Sequence, residues 1–175
     1  MIKESLLDKL DFFKKVPLFH DLNDDQIKKI ISIMKTREVK QAEIICQEDA
    51  HEDSMFILLR GEVAISKRLL LPLVQDPSLK QEKSLVTLSE RQHPFFGEMA
   101  LFEDTPMRSA SITALKACTL VVIEKSDLLG ILHKNPEIGS IIYKNIATEL
   151  THRLIKANKD ILKLTTAFSL AIEGE

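Results

Sequence analysis

The residues best placed to do chemistry are Phe96-Gly97-Glu98-Met99-Ala100-Leu101-Phe102, followed closely by Arg108-Ser109-Ala110. A glycine ahead of a short helical turn lets backbone N–H groups converge on an anion, and the turn's dipole favours negative charge there. Arg108 adds a forked, charge-assisted donor suited to a phosphate oxygen. Glu98 cannot hold that anion, because like charges repel. An ionised carboxylate only accepts hydrogen bonds, and a sugar hydroxyl is a natural donor to it. A phosphate site beside a hydroxyl site fits a nucleotide.

Such a cluster needs a rigid frame, and the chain changes period around it. Residues 1–35 read as an N-terminal helical segment. Asn23 and Gln26 make a capping box for a helix carrying Ile27, Ile30, Ile31 and Met34 at helical spacing, and Pro17 breaks the helix before it. Residues 36–125 read as short β runs: 37–40, 43–46, 55–59, 63–67, 85–88, 110–115 and 119–124. Gly61, between Arg60 and Glu62, supplies the positive φ of a tight hairpin. Many short strands in succession predict an antiparallel roll or barrel. Residues 126–175 read as helices again. Ser126 is expected to cap a short helix ending near His133, and Asn135-Pro136 to start a second one running to about Ala171.

Within that last helix Ala147, Leu150, Leu154, Ala157, Ile161, Leu164, Phe168 and Ala171 alternate spacings of three and four. This is a heptad seam, and its length predicts a second, identical helix against it. Lys144, His152, Arg153, Lys156, Lys159 and Lys163 form a solvated face.

Residues 96–111 resemble the phosphate-binding cassette of the cyclic-nucleotide-binding domain family, which reads roughly Phe-Gly-Glu-x-Ala/Gly-Leu, a variable tip, then Arg-Ser/Ala/Thr-Ala. The family includes the bacterial catabolite activator protein and protein kinase A regulatory subunits. The resemblance implies a mainly β α+β fold: a double-stranded β-helix, or jelly-roll-like β-roll, with N-terminal helices and a long C-terminal helix. It implies that Glu98 takes the ribose 2′-hydroxyl and Arg108 the cyclic phosphate. Ser109 and the amides of Gly97, Met99 and Ala100 would complete the cradle, with Ala110 closing the motif. It further implies a regulatory domain without catalysis, a ligand (cAMP before cGMP, given serine at 109), no cofactor and no metal. The C-terminal helix would close over the base and pair two copies. One register along that helix brings Ala157 and Asn158 to the base, and another brings Arg153 and Leu154. The alternative reading is an interaction or dimerisation module that keeps the fold without responding to nucleotide.

Two stretches depart from the family pattern. Where relatives carry two glycines, this chain has Glu48-Asp49-Ala50-His51-Glu52-Asp53-Ser54, which predicts an altered turn, and the resemblance implies that this loop lies away from the phosphate cradle. The connection 67–84, with Leu69, Leu70, Leu71, Leu73 and Val74, is long for a compact domain. Its strands could extend and its leucines cap the roll, or it could form a partner-binding flap.

Composition excludes other classes. At 175 residues, 45% hydrophobic and 29% charged, the chain suits a core-forming domain with an appendage. A formal charge of −2 disfavours nucleic acid as a partner, and no apolar run is long enough for a membrane. The N-terminus does not read as a signal peptide. Cys46 and Cys118 sit in apolar runs and are expected as buried thiols, in keeping with the cytoplasm. No Ser-His-acid, Cys-His or metal-ligand set stands at a usable spacing, so an enzyme is not expected. A DNA-binding module is not expected in the few residues given after the long helix, unless the chain is a piece of a longer one, and an effector protein is left as the unidentified output partner.

Overall fold

The computed structural model of the protein describes residues 6–68 and 82–173. Helix α1 (Leu10–Phe13), a 3-10 turn (Pro17–Phe19) and α2 (Asp24–Ile31) precede the strands. The capping box forms: the Asn23 side chain accepts from Gln26 N at 3.0 Å while Gln26 Oε1 accepts from Asn23 N at 2.9 Å. The strands are β1 (Lys35–Val39), β2 (Ile44–Cys46), β3 (Met55–Arg60), β4 (Glu62–Arg68), β5 (Glu82–Ser89), β6 (Phe95–Phe96), β7 (Ser111–Ala114) and β8 (Cys118–Ile123). Helices α3 (Lys125–Lys134) and α4 (Pro136–Glu173) close the chain.

Two four-stranded antiparallel sheets, ordered β1-β8-β3-β6 and β2-β7-β4-β5, make the β-roll. Gly61 turns β3 into β4 at φ +104, and a Cβ there would stand 2.6 Å from Cys118 Sγ. β4 and β5 stay paired to Arg68↔Glu82, so both strands outrun the predicted 63–67 and 85–88. The leucines of the long connection lie outside the described residues, and with them the flap reading.

β3 is buried on both faces, as its unbroken apolar run requires. Phe56 and Leu58 point into the roll with Val39, Ile45, Phe96, Ile112 and Leu120. Met55 and Ile57 join Phe95, Val121 and Ile123 beneath the helices, against Phe13, Phe19, Ile27, Leu128, Ile138, Ile142 and Ile146. The sheet is therefore a wall between two apolar clusters.

Two local expectations are corrected. The strand Phe95–Phe96 was not foreseen, since two residues show no alternation. Ser126 lies inside α3, whose N-cap is Glu124 without a side-chain cap bond. At the next boundary Asn135 Nδ2 donates to Ile131 O at 2.9 Å, so its side chain finishes α3 while Pro136 opens α4.

Helix α4 has 38 residues and is about 57 Å long at the usual rise. Its first half is anchored: Asn145, buried, donates to Leu18 O at 3.0 Å and His20 O at 2.7 Å. From Leu154 to Ile172 every residue is exposed, including Ile161, Leu164 and Phe168 of the heptad seam. No described helix is long and apolar enough to cross a membrane.

Candidate anion and sugar-hydroxyl site

The site grows out of β6. Phe96 pairs with Phe56 across the sheet, the rings stacked with centroids 5.5 Å apart. Gly97 then takes φ +80 and opens the 3-10 turn Glu98–Phe102. Only glycine fits. The left-handed backbone is costly for other residues, and a Cβ would lie 2.8 Å from Arg108 Nη1 and 3.1 Å from Ser54 O.

Arg108 is 4% exposed although it is a cation. Burying a guanidinium needs partners for its donors. Nε donates to Glu52 Oε2 at 3.1 Å, Nη2 donates to Ser54 Oγ at 3.1 Å, and the group lies 5.2 Å from the centre of the Phe56 ring. Nη1 is buried and has no hydrogen-bond partner among the described residues. An orphaned buried donor of this kind calls for an acceptor that the described residues do not provide.

Glu52 and Ser54 belong to the loop expected to lie away from the cradle, and that expectation is corrected. The loop embraces Arg108: Arg108 N donates to Ala50 O at 2.9 Å, and Asp49 N donates to Arg108 O at 2.9 Å. Asp49 takes the left-handed conformation, φ +66, that a family glycine would otherwise provide. His51 is exposed, and no cluster of His, Cys, Asp and Glu able to hold a metal occurs among the described residues. Beside this loop, burial pushes the Cys46 thiol up to about 11, with Arg108 opposing the rise. Cys46 and Cys118 are both buried and free.

Glu98 is 2% exposed, and its partner comes from α4. Arg153 Nη1 donates to Glu98 Oε1 at 2.8 Å, Nη2 to Phe95 O at 2.9 Å and Nε to Glu149 Oε1 at 3.1 Å. Burial pushes the Glu98 carboxyl above the usual carboxylate range, and the Arg153 charge pulls against that shift. Arg153 was expected on a solvated face, or at the base in one of the two helix registers; its bonds to Glu98, Phe95 O and Glu149 correct the first expectation. The burial of Glu98, which requires a cation or a donor, appears only once the chain is folded.

These groups line a cavity of about 90 Å³. All seven candidates, Gly97, Glu98, Met99, Ala100, Arg108, Ser109 and Ala110, stand on its wall, together with Arg153 and the apolar Ile65 and Ile112. Ser109 Oγ lies 3.9 Å from Met99 Sδ. Asn158 lies further along α4, exposed and apart from this wall. A recessed guanidinium donor beside a recessed carboxylate suits a compact ligand with one anionic group and one hydroxyl.

Residues 36–135 match the family described as the cyclic nucleotide-binding domain. The chain is 35% identical over 130 residues to a cGMP-dependent protein kinase of Toxoplasma gondii, covering 70% of this chain and 12% of the kinase. It is 30% identical over 112 residues to the cAMP-activated global transcriptional regulator of Pasteurella multocida, covering 64% of this chain and 47% of the regulator. The crystal structure of the Thermus thermophilus catabolite activator protein superposes with a TM-score of 0.70 at 26% identity, over 85% of this chain and 63% of that one. The chain thus belongs to the cyclic nucleotide-binding domain family. It spans only 11–15% of the cGMP-dependent protein kinases it matches.

Proposed function

We propose that this domain is a non-catalytic sensor that binds a cyclic nucleotide, cAMP in preference to cGMP, and signals through movement of α4 against the roll. The observation that carries the reading is the buried Nη1 of Arg108, without a hydrogen-bond partner among the described residues, on a residue that lines the same cavity as Glu98. The cyclic phosphate accepts from Arg108, with Ser109 and the backbone around Gly97, Met99 and Ala100 completing the cradle. The ribose 2′-hydroxyl donates to Glu98, whose Oε1 is the atom held by Arg153. Ligand and α4 therefore meet at one carboxylate, and occupancy biases where the helix rests. The bias can be no larger than the ligand's differential affinity for the two helix positions. Serine at 109 supports adenine, because a threonine there is what reaches a guanine amino group in relatives.

The exposed seam of α4 supports pairing with a second copy in a homodimer, and the output goes to an effector protein of a cytoplasmic signalling system. Nucleic acid, membrane and metal have no part in this reading. The same seam favours the alternative, an interaction module that does not respond to nucleotide. Calorimetric titration of cAMP and cGMP into the protein and into Arg108→Ala separates the two. Saturable binding that the substitution abolishes supports the sensor; absence of binding by folded, nucleotide-free protein supports the module.

A further inference from the structure

The turn Glu98–Phe102 ends abruptly, with Glu103 leaving it in extended conformation at φ −102 and ψ 138. Carbonyls at the end of a helical turn have no partner within it and need a donor from elsewhere. Lys125, the first residue of α3, is that donor. Its Nζ donates to Glu103 O at 2.6 Å and to Ala100 O at 3.2 Å. The ammonium also sits at the negative end of the turn, where a cation is favoured. A trans peptide points its C=O and its N–H in opposite directions, so fixing the Ala100 carbonyl fixes the direction of the Leu101 N–H as well.

The turn that carries the cradle is thus gripped by two cations of the C-terminal helices. Arg153 holds its first residue through the Glu98 carboxylate, and Lys125 holds its last carbonyls. The two grips differ in kind. Arg153 bonds a side chain that a ligand hydroxyl would also use, so that grip is exchangeable. Lys125 bonds main-chain carbonyls, which take no part in the contact at Glu98.

We propose that Lys125 is a positioning residue of the anion cradle, the permanent tether between the 98–102 turn and α3 that stays closed when Arg153 yields at Glu98. The proposal rests on the cyclic-nucleotide reading for its second half; the tethering of the turn does not depend on it.

Lys125→Met removes the ammonium and keeps the apolar stem, while Lys125→Arg keeps a cationic donor. Hydrogen exchange of the ligand-free proteins is read on peptides covering 97–107, with β3 and the first half of α4 as internal references. Calorimetry with cAMP and cGMP follows on the same samples. Losing a charge-assisted hydrogen bond is expected to speed exchange in 97–107 by about tenfold and weaken the nucleotide by about five- to tenfold. Lys125→Arg restores most of both. Unchanged exchange in 97–107, or acceleration spread equally over β3 and α4, overturns the tether. If the wild type binds and Lys125→Met binds equally well, the link to the cradle is overturned. If the wild type binds neither nucleotide, the cyclic-nucleotide reading fails, and the exchange pattern alone decides whether Lys125 tethers the turn.

Discussion

Replacing Arg153 by methionine should destabilise the ligand-free domain measurably, even though its guanidinium lies at the edge of the roll. The change removes donors to Glu98, Phe95 O and Glu149, and a cation 5.5 Å from the Phe95 ring centre. It leaves Glu98 charged at 2% exposure with its cation gone. Removing one partner of a fully buried ion pair costs about 3–5 kcal/mol. The Arg153 side chain is 39% exposed, so water replaces part of what it gave, and the expected cost falls to about 2 kcal/mol. For a chain of this size that is a Tm decrease of about 4–8 °C. The folded protein holds the Glu98 carboxyl above its ordinary 4.5, and losing Arg153 raises it further. The folded state then binds that proton more tightly than the unfolded one, so the contribution of this carboxyl to stability is fully present below 4.5 and is lost as pH rises through the folded-state value. The loss in Arg153→Met is therefore largest at neutral pH and shrinks on acidification. Adding Glu98→Gln removes the buried charge and should recover much of the loss. Urea unfolding of the wild type, both single variants and the double variant at pH 7 and pH 5, at one protein concentration, measures the coupling. Equal stability of Arg153→Met and the double variant at pH 7 would refute the reasoning.

Three further outcomes are expected. Gly97→Ala places a Cβ against Arg108 Nη1 in left-handed backbone, so cyclic-nucleotide affinity by calorimetry should fall at least about tenfold, with roughly 1–3 kcal/mol lost in urea. Asn145→Ala leaves the Leu18 and His20 carbonyls without their donor, and thermal unfolding should show a loss of about 1–3 kcal/mol, whereas an unchanged Tm would mean that water satisfies them. Ile161→Lys with Phe168→Glu places charges in the exposed seam, and light scattering should report a dimer for the wild type and a monomer for the variant; a monomeric wild type would leave the seam to another partner.

The cassette could be read from the sequence because its parts are local. Gly97, Glu98 and Arg108 stand within one short stretch, and glycine's backbone freedom and arginine's forked donors are properties of single residues. The groups that complete it come from far along the chain. Glu52 is 56 positions from Arg108, Arg153 is 55 from Glu98, and Lys125 is 25 from Ala100. Nothing in their own neighbourhoods marks them, since each looks like a solvated charge until folding brings it to its partner. The loop 48–54 misled for a related reason. Its missing glycines point to a changed turn, but its contact with Arg108 is a matter of tertiary packing. The roll itself was legible from β-branched runs and turn residues, and α4 from Pro136 and its seam. The two-residue β6 was not, because its pairing with β3 rather than its own pattern makes it a strand.

The anchoring of α4 at Asn145 makes the rest of the helix a lever. From that fulcrum to Ile172 is about 40 Å of rod at the usual rise per residue. A tilt of about 10° at the anchor would sweep the far end through about 7 Å, while the backbone of Arg153, beside Glu98, shifts by roughly three-tenths of that. An event the size of one exchanged hydrogen bond at the carboxylate is thereby enlarged, by the length of the arm alone, into a displacement that a bound partner could sense.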